Sequence, residues 1–288
     1  MDVGQVLDKN NTESLVYNLI PNTRNIIAYN EATRKMKVME IKFPIISNFN
    51  CFLENSSFLN LKGKIYISGG SSSATPEPSS QFLLYDQSSV SLKILADLKE
   101  ARYNHSMIQH NNLIYIVGGE NTNTMEIYDT ENKTLKTKEY DDYEAVDNPI
   151  LFVHRYFLYS FFGKKNGKFV DFVQRVNFKT TNLKWEKVPY KLDNKYMKIK
   201  LTNSAIIPFG ENEIFFFGGK SEKGITREVI SFDFESKEFK TTDIVLDGAH
   251  FFNNSQFNKV ASNVYSSFSS NEKENFIKVT VDLDDDSL

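Results

Sequence analysis

A pair of glycines at the end of a short apolar run recurs along this chain. The run LIYIVGG at 113–119 is followed, after a polar stretch, by EIYD at 126–129. Two further places show the same order: KIYISGG at 64–70 with FLLYD at 82–86, and EIFFFGG at 213–219 with VISFD at 229–233. Because glycine adopts backbone conformations that other residues resist, the recurrence predicts a repeated strand–turn–strand unit.

Three weaker copies extend the pattern over the whole chain. They lack the glycine pair but keep the spacing between the two runs, at 14–30, 156–177 and 263–280. One marker residue on the second run of each copy defines the period: Tyr29, Tyr85, Tyr128, Val176, Phe232 and Val279. Their separations are 56, 43, 48, 56 and 47 residues, so six copies account for the 288-residue chain.

Each copy reads as four short strands separated by turn-forming residues. A further apolar or alternating segment precedes the glycine run, as in NHSMIQH at 104–110 and NSAIIPF at 203–209. A large apolar residue also follows the second run of five copies. It stands six residues after the end of that run in copies one, two, three and five, and eight residues after it in copy four: Met36, Leu92, Leu135, Phe239 and, in copy four, Trp185. No useful helical periodicity occurs.

Small sheets recurring at this period bury their faces only against neighbouring sheets, and radial closure removes long exposed edges. The sequence therefore predicts an all-β, six-bladed β-propeller with four antiparallel strands per blade. We expect the marker residues and the later large apolar residues to pack between adjacent blades. The glycines are expected to let the backbone pass close to the central axis.

The period divides the chain into six units that form one propeller. Their approximate bounds are 1–45, 46–99, 100–141, 142–190, 191–246 and 247–288. The sixth unit lacks an evident fourth strand, because residues 281–288 are mostly acidic. Residues 3–7 supply either that strand or the first strand of unit one. In both arrangements the two ends of the chain meet and join the ring.

These features resemble the kelch repeat family, whose blades carry a double glycine, then a Tyr-Asp pair, then a Trp. The third unit matches best, and units one, four and six diverge. The matching residues are Gly69, Gly70, Tyr85, Asp86, Arg102, His105, Gly118, Gly119, Tyr128, Asp129, Trp185, Gly218, Gly219, and Asp233 after Phe232. The resemblance implies a structural role for His105 on the innermost strand. It leaves Arg102 either structural or facing the channel mouth.

Composition bounds the class of protein. A 40% hydrophobic content supports a sizeable core, and 24 Phe with 14 Tyr indicate aromatic-rich sheets. The net charge of −3 gives no reason to expect a nucleic-acid or membrane partner. Cys51 is the only cysteine, expected as a small buried hydrophobe in the first strand of unit two. With no internal disulfide possible and no signal peptide at the start, we expect a cytoplasmic protein.

No motif predicts catalysis, a metal or a cofactor. The four histidines are scattered over different units without metal-ligand spacing. The glycine pairs form neither GxGxxG nor a P-loop, and no helix follows them. Carboxylate pairs such as Asp141-Asp142 read as solvated loops rather than a general acid and base. We therefore expect no catalytic residue and no cofactor.

Long loops on one face are the remaining candidate for function. In a four-stranded blade, the second-to-third-strand loop and the blade-to-blade loop emerge together, and binding residues concentrate in such loops. The candidate partner-binding residues are Arg102, Lys164, Lys165, Lys168, Lys220, Lys223 and Arg227, close to Lys191, Lys195 and Lys198. An acidic loop at 141–147 lies beside them, and a Ser- and Pro-rich excursion occupies 71–81.

The sequence thus predicts a non-catalytic protein–protein interaction scaffold or adaptor, with no homo-oligomer implied. The resemblance implies a subunit of a larger cytoskeletal or ubiquitin-ligase-type assembly. Ubiquitin-ligase receptors of the family carry BTB and BACK domains before the propeller, so that role requires them on a separate chain. Two alternatives remain: a propeller enzyme or small-molecule binder using the axial channel, and a structural domain whose loops bind nothing specific.

Overall fold

A computed structural model describes residues 15–280 except 31, 45–50, 62, 73–75, 90, 121, 181–182, 194–198, 253–257, 262–263 and 270–275. All regular secondary structure in these residues is β-strand. These described residues contain no helix that could span a membrane.

The described strands form six sheets of three or more strands. Numbered in chain order, the first three sheets contain β1 to β11. Sheet 1 contains β1 (Leu15–Leu19), β2 (Asn25–Asn30) and β3 (Lys35–Glu40). Sheet 2 contains β4 (Ser57–Leu61), β5 (Lys64–Ser68), β6 (Gln81–Asp86) and β7 (Ser91–Asp97). Sheet 3 contains β8 (His105–His110), β9 (Leu113–Gly118), β10 (Thr124–Asp129) and β11 (Thr134–Glu139).

The second half of the chain adds three more sheets and two small hairpins. Sheet 4 comprises β12 (Ile150–His154), β13 (Phe157–Phe161), β16 (Val173–Asn177) and β17 (Trp185–Val188), with a hairpin of β14 (Lys164–Lys165) and β15 (Lys168–Phe169) inserted. Sheet 5 comprises β18 (Lys191–Leu192), β19 (Ala205–Phe209), β20 (Glu213–Phe217), β23 (Glu228–Asp233) and β24 (Glu238–Val245), with a hairpin of β21 (Lys220–Ser221) and β22 (Gly224–Ile225) inserted. Sheet 6 comprises β25 (Asn258–Ala261), β26 (Val264–Phe268) and β27 (Phe276–Thr280).

Within each sheet, consecutive main strands pair antiparallel, as predicted for a blade. The prediction of four strands holds in sheets 2, 3 and 4. It is wrong for sheet 5, because β18 from the preceding linker adds a fifth strand that pairs parallel with β24. Sheets 1 and 6 have three described strands each, and residues 3–7 and 281–288 lie outside the described residues.

The hydrophobic core lies between the sheets. Six clusters of buried residues are found in the described part of the chain, and each joins two neighbouring sheets. In each cluster, one residue from each of its two sheets identifies the neighbours: Tyr17 with Ile65, Leu59 with Met107, Val117 with Leu158, Phe161 with Phe216, Ile207 with Tyr265, and Val16 with Phe268. The last pair joins sheet 1 to sheet 6, where β1 contacts β25 and β26. The all-β propeller is confirmed.

The marker residues of the sequence period occupy equivalent places in this core. Each belongs to a different cluster, on the side facing the preceding sheet: Tyr29, Tyr85, Tyr128, Val176, Phe232 and Val279. Leu92, Leu135, Trp185 and Phe239 pack in the same clusters. The interpretation was wrong for Met36, which is 53% exposed, because β3 lies beyond the core and nearly all its side chains face solvent.

The glycine pairs make close backbone contacts between sheets. The second glycine of each pair donates a hydrogen bond to the linker that enters another sheet: Gly70 N to Arg102 O at 2.9 Å, Gly119 N to Val146 O at 3.1 Å, and Gly219 N to His250 O at 2.7 Å. Their φ angles are 101°, 101° and 106°, in the region that favours glycine. Close contact with the linker of an adjoining sheet therefore requires glycine at these positions.

A column of asparagines also links the sheets. Asn55, Asn104, Asn148 and Asn203 stand just before the first strands of sheets 2 to 5, with φ between 50° and 55°. Asn104 N donates to Asn55 O at 3.0 Å, and Asn148 N donates to Asn104 O at 2.5 Å. Asparagine tolerates the left-handed region better than most residues, which accounts for its recurrence.

Two glycines with the same φ allow the cost of backbone strain to be distinguished from the cost of a steric clash between sheets. Gly69 and Gly210 both have φ 59°, but a Cβ on Gly69 would lie 2.2 Å from Arg102 O, whereas a Cβ on Gly210 meets nothing within 4 Å. We expect Gly210→Ala to cost about 1 kcal/mol of unfolding free energy from strain alone. Gly69→Ala should cost several times more in urea unfolding or prevent folding. Equal losses would contradict the contact argument.

Candidate functional site

One face of the propeller is built from paired loops and linkers. In sheets 2, 4 and 5, the linker entering the sheet pairs with the loop that leaves its second strand, through the bridges Glu54↔Ser71, Asp147↔Lys164 and Thr202↔Lys220. The two kinds of loop therefore lie on the same side of the ring. We call this side the loop face.

Two hairpins on the loop face carry the predicted basic residues. The hairpin β14–β15 carries Lys164, Lys165 and Lys168. The hairpin β21–β22 begins at Lys220 and has Lys223 in its turn. Lys165, Lys168, Lys223 and Arg227 are exposed, whereas Lys164 and Lys220 are partly buried. Burial, followed by repulsion from Lys164, lowers the pKa of Lys220. The two hairpins therefore bring their first lysines into electrostatic contact.

Several of these cations are already engaged. Nζ of Lys220 lies 3.6 Å from the ring centre of Phe251, and Nζ of Lys164 lies 4.6 Å from that of Phe169. Nε of Arg227 donates to Leu246 O at 2.8 Å.

The remaining predicted loop residues are placed differently. Lys191 lies in β18, at the outer edge of sheet 5, and Lys195 and Lys198 are outside the described residues. In the 71–81 loop, Ser79 is buried and its N–H donates to Gly70 O at 2.8 Å, whereas residues 73–75 are not described. The end of this loop is therefore packed against the glycine pair.

A pocket of about 450 Å³ opens at the seam between sheets 3 and 4 on the loop face. Five carboxylate residues line it: Glu120, Asp141, Asp142, Glu144 and Asp147. Lys164 and Lys165 line its other side, with Asn166 in the turn of their hairpin. We call this the carboxylate pocket. The predicted acidic loop at 141–147 supplies most of its wall.

The carboxylates of this pocket differ in how well they are paired. Glu144 binds Lys187 at 2.7 Å and Lys165 at 3.1 Å, and hydrogen bonding to Lys187 is the main cause of its lowered pKa. Glu120 accepts a hydrogen bond from the hydroxyl of Tyr103. Burial, followed by repulsion from Glu120, raises the pKa of Asp147 to about 6. Asp147 is therefore less stabilised as an anion than Glu144.

Arg102 is only 1% exposed, so its assignment as a partner-binding residue was wrong. Its side chain and that of Glu126 are completely buried, and they form an ion pair at 3.1 Å. The guanidinium also donates to the Thr124 hydroxyl at 2.7 Å and to the Gly118 carbonyl at 3.3 Å. Such a pair is retained in the interior because its hydrogen bonds satisfy both charges. Arg102 holds the glycine turn of sheet 3 in place.

His105 is also an interior residue. Its Nε2 lies 2.6 Å from Ser68 Oγ, and burial places the pKa of His105 well below its usual range. Ser68 is itself completely buried, so this pair does not present a nucleophile to solvent. Among the described residues, no group of three or more His, Cys, Asp or Glu side chains is arranged to hold a metal ion. Cys51 is partly buried in the linker before β4, not in a strand.

Comparison with protein families gives one match. The model described as Kelch motif matches residues 101–134, which span the linker and strands from Arg102 to the start of β11. Those residues contain the buried arginine, the glycine pair and the Tyr128-Asp129 pair, and the surrounding sheets form a ring. The chain is a β-propeller that carries a kelch motif. No curated protein matches it.

The aspartates of the kelch motif close turns rather than form a site. Asp86, Asp129 and Asp233 each end the third strand of their sheet and accept backbone hydrogen bonds from residues two or three positions on. Asn30 and Asn177 make the same kind of contact in sheets 1 and 4. The divergent units therefore keep the turn with an amide oxygen in place of a carboxylate.

Sequence reasoning did not identify Glu120 and Asp147 as pocket residues. Glu120 directly follows the glycine pair of sheet 3, the position that Ser71 and Lys220 occupy in sheets 2 and 5. All three positions border the loop face, so the residue that follows each glycine pair could have identified Glu120 from the sequence. Asp147 was recognised only as part of an acidic loop, because sequence does not show which of its carboxylates is buried.

The strained carboxylate of Asp147 predicts a pH-dependent stability. Its folded pKa of about 6 exceeds the ordinary value of 3.8. The stability that protonated Asp147 contributes to the folded state is therefore fully present below about pH 4 and is lost as the pH rises through 6. At pH 7.5, Asp147→Asn should therefore raise the melting temperature. We expect roughly 2 °C, or about 1 kcal/mol after discounting for partial exposure.

Thermal unfolding at pH 7.5 and pH 4 checks this prediction, and the advantage of Asp147→Asn should vanish at the lower pH. Glu131→Gln is the matched control, because Glu131 is exposed in the turn between β10 and β11. A variant that is less stable than wild type at pH 7.5, or an advantage that persists at pH 4, would show that Asp147 is not strained.

Proposed function

We propose that this β-propeller is a non-catalytic scaffold that binds a protein partner through its loop face. The observation that carries the proposal is the placement of two lysine-bearing hairpins beside the carboxylate pocket, on one face of a rigid ring. Loops held by a rigid scaffold are common sites of recognition. The family to which the motif belongs is largely one of interaction domains, in keeping with this role.

The proposal includes a ring of six blades, one for each sheet of three or more strands. The contact between β1 and sheet 6 supports closure between the first and last blades. The ring also gives the unit bounds 1–45, 46–99, 100–141, 142–190, 191–246 and 247–288 a physical meaning as blades. Closure makes the loop face continuous across the seams between blades.

The charge pattern of the loop face defines the partner's surface. Lys165, Lys168 and Lys223 are exposed on the two hairpins, and Asp141 and Asp142 are exposed on the linker beside them. Interfaces gain specificity when positive and negative patches face their opposites. A partner that fits presents acidic residues to the hairpins and basic residues to the linker.

The kelch resemblance suggests the cellular setting. We propose a subunit of a larger cytoplasmic assembly, of a cytoskeletal or ubiquitin-ligase type. In that setting the propeller recognises one component, and other chains supply enzymatic or anchoring functions.

Affinity purification of tagged protein from its native cells, with charge-reversed variants, tests the loop face. Lys164→Glu/Lys165→Glu/Lys168→Glu places three acidic side chains on β14–β15. The matched control Lys133→Glu/Lys136→Glu/Lys138→Glu reverses three exposed lysines in the turn before β11 and on β11 itself. We expect wild type and the control to retain the same partner and the hairpin variant to lose it, with comparable melting temperatures.

Retention of the partner by the hairpin variant would contradict the loop-face assignment. A wild-type protein that elutes alone, at monomer size and with no reproducible partner, would contradict the scaffold itself. Bound metal, or stabilisation by a metabolite, would favour the alternative of a propeller that works through its axial channel.

A further inference from the structure

Exposed apolar side chains are concentrated where the loop face reaches the outer edge of sheet 5. Six large apolar residues are exposed in the described part of the chain, and three of them belong to this place: Ile225, Ile244 and Val245. We call these three residues the rim patch. We propose that the rim patch binds a large apolar side chain of the partner protein, and that Arg227 binds an aspartate or glutamate beside it in the partner. This inference rests on the proposed function.

Backbone pairing brings the three residues of the rim patch together. Ile225 ends the hairpin β21–β22 on the loop face, and β23 begins three residues later at Glu228. Glu228 pairs with Val245 at the end of β24, and Leu246 N donates to Arg227 O at 2.9 Å. The rim patch is therefore continuous with a hairpin that the proposed function assigns to the partner-binding face. Exposed apolar patches rimmed by polar residues are typical of interaction sites.

A bulge in β24 decides how the patch is presented. The register between β23 and β24 shifts at the end that lies on the loop face. There the Thr242 hydroxyl donates to Val229 O at 2.7 Å and accepts from Ile244 N at 3.3 Å, in place of regular strand pairing. Bulges redirect side chains and interrupt pairing along an edge. The patch therefore offers exposed side chains, which favours contact with a partner's side chain over addition of a partner's strand.

Arg227 places a cation beside the patch. Its Nε donates to the carbonyl of Leu246, the residue after Val245, at 2.8 Å. The side chain is exposed and forms no ion pair with a carboxylate of the described residues. The guanidinium is therefore held next to the patch with its remaining N–H groups available. A guanidinium binds a carboxylate through short, charge-assisted hydrogen bonds.

Nearby charges restrict which segment fits. Asp243 and Asp247 are exposed and flank Ile244 and Val245 in the sequence. They repel a run of acidic residues, whereas a single carboxylate beside an apolar side chain is directed to Arg227. The expected ligand is therefore a segment of the partner with one large apolar residue next to one acidic residue.

Methyl NMR of the full chain tests the assignment at the site itself. The protein carries ¹³C-labelled isoleucine δ1 methyl groups, and Ile225→Val and Ile244→Val assign the two signals of the patch. The probe is the capped, unlabelled peptide Gly-Ser-Leu-Phe-Asp-Ser-Gly, and the matched probe replaces aspartate with asparagine. We expect the aspartate peptide to shift both signals with a dissociation constant of about 1 mM, and the asparagine peptide to bind about tenfold more weakly.

A matched pair of double variants locates the apolar contact. Ile244→Ser/Val245→Thr should weaken binding of the aspartate peptide by about tenfold, followed at the Ile225 methyl group. The control Met36→Ser/Val38→Thr makes the same kind of change on β3 of sheet 1. The exposures match, at 49% and 59% for Ile244 and Val245 against 53% and 55% for Met36 and Val38. We expect the control to bind like wild type, and both double variants to keep the wild-type melting temperature.

A further variant separates the charge from the apolar contact. Arg227→Gln should lower the affinity for the aspartate peptide to that for the asparagine peptide, and should leave binding of the asparagine peptide unchanged. Equal loss for both peptides would show that Arg227 supports the patch structurally and does not bind the carboxylate.

Five results would overturn the proposal. They are no shift up to about 10 mM peptide, shifts spread over isoleucines outside the patch, equal affinity for the two peptides, full affinity in Ile244→Ser/Val245→Thr, and a wild-type dimer that this double variant converts to monomer. The last result would assign the patch to a second copy of this chain.

Capture of the native partner distinguishes this inference from the proposed function. If Lys164→Glu/Lys165→Glu/Lys168→Glu loses the partner and Ile244→Ser/Val245→Thr keeps it, the scaffold stands and the rim patch fails. If the peptides behave as expected but wild type captures no native partner, the scaffold fails and the rim patch stands as a binding site for such segments.

Discussion

Burial of apolar side chains between neighbouring sheets is the interaction on which the structure depends. Each of the six main sheets has three to five strands among the described residues, and its apolar residues are covered by the sheets on either side. Removing apolar area from water is the main favourable contribution to folding. No sheet buries its apolar faces alone, so the ring is the smallest unit in which the apolar faces of all the sheets are covered. The glycine pairs and the asparagine column add backbone hydrogen bonds across the same seams.

The candidate site depends on one of these seams. The linker at 141–147, which forms most of the pocket wall, joins sheet 3 to sheet 4 and carries Tyr143 into the core, where its ring lies 4.7 Å from that of Trp185. Beneath it, the buried pair of Arg102 and Glu126 holds the strand ends of sheet 3. The pocket is therefore preorganised by packing that serves stability first, which lowers the ordering cost of binding.

Repetition explains how much of the fold was predictable from sequence. The six marker residues fall in six equivalent core positions because the same contact recurs at every seam, so even Val176 and Val279 could be placed by spacing. Features that occur once were not predictable in this way. The fifth strand of sheet 5 and the exposure of Met36 depend on the local structure at the edge of one sheet, which a sequence period does not encode.

The site was predictable only in outline. The lysines of the two hairpins lie in loops, as strand order predicts, and their role in binding a partner stays a prediction. Arg102 was misassigned because a charged residue near a strand end reads as exposed unless its buried partner is known, and Glu126 lies 24 residues away. The pocket required knowledge of how Glu120 approaches Asp147 across a seam.

Closure between the first and last sheets is the most direct test of the account. The rings of Tyr29 in sheet 1 and Phe276 in sheet 6 have centres 3.8 Å apart. In a Cys51→Ser background, cysteines at these two positions should react efficiently with a short bismaleimide in native protein and lose that reaction in urea. A control pair at Tyr29 in sheet 1 and Tyr156 in the turn between β12 and β13 should not crosslink. Equal crosslinking of the two pairs, or none at positions 29 and 276, would contradict a closed ring.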